Sequence, residues 1–312
     1  MNPNCTKISL SVIIATKDRF KDIKICVENI INQSVIPSTI IIVDASKKSG
    51  VYEILKDDFN NNDIQFLYIR SKPGLAYQRN LGINENRNDF ILFLDDDVTL
   101  DKYYIEEMIA YFENVNNEIG GITGKITNDK KLGVISSIIR KLFFLSENGR
   151  GEVKKSWANN NYNKISEISR IQWISGCNQF YKSEVFKYEL FDENLDGYAY
   201  MEDVDFSYRV SNNFQLIFNP KAKCIHNHKN SISTRMRKRE KQKMFMRNHY
   251  YLFKKNIPQT KINKLCHYWS YLGFIVRGVI FERNLGFVLG TIEGIAKNIF
   301  NKNELINNNI NE

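Results

Sequence analysis

The sequence predicts an α/β fold with a largely parallel sheet and a basic helical region appended after it. Three observations carry this reading. Short β-branched runs alternate with amphipathic stretches through residue 126, polar and acidic residues stand where those runs end, and positive charge gathers beyond residue 220. The chain has 312 residues, 44 Lys and Arg against 35 Asp and Glu, a net charge of +9 and 43% hydrophobic residues. This balance fits a globular protein of roughly two domains, and excludes a disordered chain, a collagen or a multi-span membrane protein.

Four strands are expected, over 8–15, 39–43, 64–69 and 90–94, each a continuous apolar run of the kind found in strands covered on both faces. Amphipathic helices are expected over 20–32, 51–59 and 75–84, with turn or capping residues near their ends. From Asn128 to Arg170 the periodicity fades into Asn, Lys and Ser, which reads as a long insertion or mobile loop containing one amphipathic piece, 134–145. A strand over 171–175, a short helix near Ser183, an acidic helix and a short strand after Pro220 follow. Residues 235–255 hold nine Lys or Arg against the single acid Glu240, interleaved with Met and aromatic side chains. The apolar stretch 265–300 is broken by Arg277, Glu282, Arg283 and Glu293, and the Asn-rich tail from Asn301 is expected to be disordered.

Cys5, Cys26, Cys177, Cys224 and Cys266 are odd in number and form no CxxC pair, so neither a disulfide framework nor a zinc ribbon is indicated. The apolar run 8–15 is too short for a secretory leader and leads into Lys17, Asp18 and Arg19. No run reaches the roughly 18 to 20 apolar residues of a membrane span. A cytoplasmic protein is expected.

Ligands of open α/β sheets bind beyond the carboxyl ends of strands, where this chain places Thr16, Asp44 and the trio Asp95, Asp96 and Asp97. Three adjacent carboxylates repel one another, and their convergence on a cleft calls for a divalent cation; oxygen ligands favour Mg²⁺ or Mn²⁺, which bridges nucleotide phosphates. In extended backbone Asp95 and Asp97 point one way and Asp96 the other. The plainer account of the trio is a polar loop capping the next helix. Glu202, Asp203, Asp205 and Arg209 fall on one helix, either as a solvated face with a salt bridge or as a general base aimed into a cleft. His226 and His228 follow a short strand and offer a nitrogen ligand to a nearby metal. The basic helix either packs its Met and aromatic side on a core, or presents a surface to anionic lipid headgroups or a pyrophosphate-linked lipid acceptor. No nucleic-acid-binding motif is present, and none of that partner class is expected.

The segments SVIIATKDR, IIVDASKKSG, KPGLAYQRNLGI, FILFLDDDV, GCNQFYKSEVF and FDENLDGYAYMEDVDFSYRV occur in the order and spacing of family 2 glycosyltransferases, which this chain resembles over residues 8 to 230. The resemblance implies the GT-A fold and inverting transfer of a hexosyl unit. It implies base and ribose contacts at Thr16 and Asp44, and places Arg79 on the helix facing the donor. Asp95 and Asp97 match the DxD motif that binds metal and diphosphate, with Asp96 also near the sugar nucleotide. Asp203 matches the catalytic base, with Glu202 supporting it, and Gly176 and Asn178 match the segment lining the donor-sugar and acceptor pocket. The HNHKNSIS stretch is similar to the family's C-terminal His segment, with His228 ranked ahead of His226 as metal ligand. The implied donor is a UDP-sugar or dTDP-sugar, with Mn²⁺ or Mg²⁺. The implied acceptor is a growing surface glycan or a lipid-linked saccharide.

The expected organisation is a transferase domain over 1–230, a basic helical region over 231–302 and a tail over 303–312, peripheral to the inner membrane face and able to self-associate. Residues 221–302 carry a net +15 and residues 1–220 a net −4. The residue pattern also leaves open a metal-dependent nucleotidyltransferase, a glycoside hydrolase or a catalytically silent scaffold at the membrane. A hydrolase has no need of the nucleotide contacts or a metal.

Overall fold

The computed structural model describes residues 6–48, 50–59, 63–113, 118–129, 133–146, 149–227 and 236–300. Two compact units emerge: unit 1 comprises residues 1–129 and 165–228, and unit 2 comprises residues 130–164 and 229–312.

Unit 1 begins with β1 (Thr6–Thr16), α1 (Phe20–Ile31), β2 (Val35–Asp44), α2 (Val51–Phe59), β3 (Gln65–Arg70), α3 (Leu75–Glu85) and β4 (Phe90–Asp95), as the alternating pattern predicts. The strands β3, β2, β1 and β4 lie side by side, all parallel. Helices cover the apolar strands, and Leu10, Val12, Ile14, Ile40, Ile42 and Leu92 are fully buried. β3 is the exception to the two-sided cover expected: as the sheet edge it is only half-buried. At Gly82 a Cβ would stand 2.4 Å from Ile13 Cγ2, so glycine is what lets α3 approach β1 this closely.

The rest of unit 1 is mixed. β5 (Val98–Leu100), α4 (Tyr104–Glu113), β6 (Ile119–Ile126), β7 (Ser169–Ile171), β8 (Asn178–Lys182), a 3₁₀ turn (Ser183–Lys187), α6 (Glu202–Val210) and β9 (Gln215–His226) extend the sheet as β4-β8-β6-β9-β5, with β7 on β9. The strand expected over 171–175 is absent: β7 ends at Ile171 and β8 starts at Asn178. In between, the Ile174 N–H donates to Ser207 Oγ (3.0 Å) and the Gly176 N–H to Asp203 Oδ2 (2.8 Å), so α6 takes the donors a sheet neighbour would need. The strand around Pro220 is 12 residues long rather than short; the proline falls in a register shift against β6, where no ladder donor is required.

Unit 2 contains α5 (Val134–Leu142), α7 (Lys238–Asn256), α8 (Lys261–Arg277), a π turn (Gly278–Glu282) and α9 (Leu285–Ile299). The segment read as an insertion or mobile loop is anchored by buried Leu145, Trp157 and Tyr162. Its Ser156 carbonyl lies 3.1 Å from Nδ1 of the buried His267 on α8. A small core of Leu145, Met246, Tyr271 and Phe274 joins these helices. Thr260 and Asn284 cap α8 and α9 by accepting from the Asn263 and Phe287 N–H groups. The expected break in the apolar stretch falls at the π turn. The tail from Asn301 and His228 lie outside the described residues. Among the described residues no helix is long and apolar enough to cross a membrane.

Candidate active site

Strand register assembles the rim of the site. β1 and β2 pair Thr16 with Asp44, and β1 and β4 pair Ala15 with Asp95, so three carboxyl ends align. Asp44 is fully buried and its charge is well compensated. Oδ1 accepts from the Ser46 N–H (2.7 Å), and Oδ2 accepts from Tyr68 Oη (2.7 Å) and from Arg70 Nη1 (2.8 Å). Thr16 Oγ1 donates to Asp96 Oδ2 at 2.7 Å. Gln78 on α3 donates to the carbonyls of Thr16 (3.2 Å) and Val43 (2.8 Å), tying the helix to both strand ends.

Sequence reasoning missed Arg19, which turns out to organise the acidic trio. Its guanidinium reaches Asp96 (2.9 Å), Asp97 (3.0 Å) and Asp22 (2.9 Å). Burial opposes its charge, but Asp96 and Asp97 outweigh that and hold its proton more firmly than usual. The available signal was its place just past β1, within the quoted KDR. Asp96 and Asp97 form the turn between β4 and β5 rather than the extended backbone expected; Asp96 is buried against Thr16 and Arg19, and burial pushes its carboxyl up to about 7, with Arg19 and Thr16 pulling the other way. Asp95 and Asp97 are left facing a shared space.

The third member of that space comes from far along the chain. β5 runs antiparallel to β9 and pairs Val98 with His226, so His226 Nε2 stands 3.0 Å from Asp97 Oδ1 and 3.6 Å from Asp95 Oδ2. One donor atom from each of Asp95, Asp97 and His226 lies within 4.8 Å of the others. Asp97 Oδ1 is buried and accepts no well-aligned hydrogen bond among the described residues, despite the nearby imidazole nitrogen. Two carboxylates and an imidazole gathered in this way fit a divalent cation. Burial opposes protonation of His226, but Asp97, Cys177 and Asp95 prevail and push its pKa up to about 11. The higher-ranked His228 is outside the described residues, and the one these residues bring to the carboxylates is His226.

Facing this cluster, α6 starts after two non-glycine residues in left-handed backbone, Ala199 (φ 48°) and Met201 (φ 74°). Such conformations cost about 1 to 3 kcal/mol each and persist where surrounding packing imposes them. Asp203 Oδ2 accepts from the Gly176 N–H (2.8 Å) and Oδ1 from the Val204 N–H (2.9 Å). Burial raises its pKa, with the Gly176 N–H and Arg79 opposing. Arg79, fully buried on α3, joins the two halves: its guanidinium pairs with Glu202, donates to the Gly176 carbonyl (2.7 Å) and reaches Asp95 (3.3 Å). Burial pushes Glu202 up to about 8 against Arg79, and its Oε2 is buried without a hydrogen-bond partner. Asp205 and Arg209 do pair, at 3.0 Å, but the solvated face expected is not found: Asp205 is fully buried and Glu202 is buried against Arg79.

Asn178 is not brought to the rim. It is fully buried inside the sheet, where its amide donates to the Gly124 carbonyl (3.1 Å) and accepts from Thr123 Oγ1 (3.0 Å). Gly176 does reach the site, and a Cβ there would lie 3.2 Å from the Asp203 carboxylate.

A parallel half-sheet bearing these residues at its strand ends, completed by a mixed half that carries a carboxylate helix, has the GT-A fold. The family model described as Glycosyl transferase family 2 matches residues 11–187, and the chain belongs to that family. A glucosyl-dolichyl phosphate glucuronosyltransferase of Haloferax volcanii is 26% identical over 125 residues, 39% of each chain. The hyaluronan synthase of Pasteurella multocida is 24% identical over 230 residues, 67% of this chain and 23% of that protein. The chain thus spans about two fifths of the first relative and about a quarter of the second. Among solved structures, the mannosyltransferase PcManGT from Pyrobaculum calidifontis, in complex with GDP-Man and Mn²⁺, aligns with TM-score 0.58 and 11% identity over 95% of this chain and 88% of that one. TarS 1-349 of S. aureus aligns with TM-score 0.55 and 15% identity over 95% and 89%. GalNAc-T7 with UDP, GalNAc and Mn²⁺ aligns with TM-score 0.56 and 14% identity over 88% and 55%.

Proposed function

We propose that the chain transfers a hexosyl unit, with inversion, from a nucleotide sugar to a hydroxyl of a surface glycan or lipid-linked saccharide, and that residues 1–230 carry this chemistry. The observation that carries the reading is the junction of two carboxylate sets through one guanidinium: Asp95 with Asp97 and His226 on one side, Glu202 with Asp203 on the other, and Arg79 between them. Thr16 and Asp44 mark the expected nucleoside end, where Arg70 adds a partly exposed cation that sequence reasoning did not single out. Asp95, Asp97 and His226 would hold the metal, and the imidazole nitrogen favours Mn²⁺ over Mg²⁺. When bound, the ion supplies positive charge to the departing nucleoside diphosphate.

The protein's own part is acid–base and positional. Asp203 takes the proton of the acceptor hydroxyl as its oxygen bonds to the anomeric carbon, and the bond from that carbon to the diphosphate oxygen breaks on the opposite face. A single displacement of this kind inverts the anomeric centre. The raised pKa of Asp203 strengthens it as a base. The Gly176 N–H aims one carboxylate oxygen, and Arg79 holds Glu202 beneath it. The test is Mn²⁺-dependent release of UDP across a panel of UDP-sugars with saccharide acceptors. Asp203→Asn is expected to retain Mn²⁺ and UDP binding by calorimetry while turnover falls about 100- to 10,000-fold. Full turnover in that variant would overturn the base assignment.

A further inference from the structure

Charge separates sharply between the two units. Unit 2 holds 24 Lys or Arg and 7 Asp or Glu, a net +17, whereas unit 1 holds 20 and 28, a net −8. The former insertion segment supplies +6 of the positive excess.

The same unit exposes ordered apolar surface. On α5, Val134 (77% exposed), Ile135 (69%), Ile138 (63%) and Leu142 (60%) share one largely exposed helix face. On α8, Ile262, Leu265, Trp269 and Leu272 form a second exposed stripe at helical spacing. The two adjoin: Trp269 Nε1 donates to the Leu142 carbonyl at 2.9 Å, and the Phe143 ring stacks on Trp269 with centroids 5.2 Å apart. Contiguous exposed apolar faces mark interaction surfaces.

The same unit carries a cationic cluster around Glu282. Glu282 in the π turn pairs with Arg277 (2.8 Å) and Lys238 (3.8 Å), and Arg140 of α5 and Lys241 of α7 are close enough to feel its charge. Four cations from three helices thus face one carboxylate. Arg140 is sufficiently desolvated that its pKa falls to about 10, with Arg277 contributing. The preceding residues of the turn, Val279, Ile280 and Phe281, are exposed as well.

We propose that the α5–α8 face of unit 2 docks in the headgroup region of an anionic bilayer, with Lys238, Lys241 and Arg277 drawing lipid phosphate while the apolar stripes enter the acyl boundary. The charge selects this occupant. A second copy pairing through the same face would bring together two units of net +17, whereas an anionic surface complements apolar and cationic elements together. The reading concerns unit 2 alone and does not depend on the transfer chemistry.

The test is co-sedimentation of the full chain with phosphatidylcholine vesicles with and without phosphatidylglycerol. Binding is expected only with phosphatidylglycerol and is expected to weaken with salt. The exposed pair Ile135→Asp with Ile138→Asp should reduce affinity at least tenfold, and Lys238→Gln with Lys241→Gln about fivefold per cation removed. Both variants should keep the wild-type Tm and Mn²⁺/UDP binding, which separates lost docking from misfolding. Equal binding to uncharged vesicles, or undiminished binding by the Asp pair, would overturn the proposal. So would a dimer in sedimentation that the Asp pair dissociates, since it would assign the face to a second copy.

Discussion

Replacing His226 with Ala tests the metal reading where it is most exposed to refutation. The substitution removes one of three donor atoms drawn from Asp95, Asp97 and His226. Loss of groups that merely support metal ligands costs about 10- to 100-fold in affinity, so loss of a direct ligand should cost at least about 100-fold. A proton-linked signature accompanies it. In the metal-free protein His226 has its pKa raised from 6.5 to about 11 by Asp97, Cys177 and Asp95 acting against burial. At pH 8 an arriving ion must displace that proton across about three pH units, on the order of 4 kcal/mol. Apparent Mn²⁺ affinity should therefore rise about tenfold per pH unit between pH 7 and 9, with about one proton released per ion. Calorimetry in buffers of differing ionisation enthalpy reads both quantities. The same linkage sets the stability of the metal-free chain. Because the folded pKa is the higher one, this group's contribution is complete below pH 6.5 and is lost as pH rises toward 11. Mn²⁺ stabilisation should grow over that window. A pH-independent affinity in the wild type, or an unchanged slope in His226→Ala, would refute the reasoning.

Arg79→Met, measured at pH 9 where Glu202 with its pKa of about 8 is ionised, leaves Glu202 and Asp95 without their buried cation and should cost about 3 to 5 kcal/mol, visible as a lowered denaturant midpoint; a midpoint equal to wild type at that pH would refute the pairing. Gly176→Ala inserts a methyl 3.2 Å from the Asp203 carboxylate, displaces it by a few tenths of an ångström and should lower kcat by up to about tenfold, with Mn²⁺ and UDP binding retained in titration. Gly290→Ala places a Cβ 2.3 Å from the Arg239 carbonyl, forcing α9 away from α7. The expected loss is about 1 to 3 kcal/mol, read by thermal melting, and an unchanged Tm would contradict the close helix approach.

Much of unit 1 was legible because its information is local. Apolar runs of strand length and helical periodicities located the first four strands and three helices to within a few residues. The strand-then-acid pattern placed Thr16, Asp44 and Asp95 together, since parallel neighbours share a carboxyl edge. Arg19 was not legible, because nothing in a single Arg after a strand says that three Asp residues will turn toward it. Asn178 shows the opposite failure: a polar residue in a motif segment looks available for ligand, yet the antiparallel pairing of β4 with β8 puts it inside the sheet. Residues 130–164 look loose because Asn and Lys dominate. Yet Trp157 and Tyr162 are buried, and the Ser156 carbonyl meets His267 more than 100 residues away, a contact that leaves no local trace.

By itself the sequence determined the α/β class, the order of elements, the acidic strand ends and the family, because propensity, periodicity and motif spacing act within short windows. Tertiary structure decided which distant residues join those strand ends. A register of three residue pairs between β5 and β9 carries His226 across more than 120 positions to Asp97, and one buried guanidinium links Asp95 to Glu202. It also decided that the basic excess belongs to a two-part unit built from the middle and the end of the chain. Distances of a few ångströms are set by the sum of all packing and pairing choices, and that sum exists only in the folded chain.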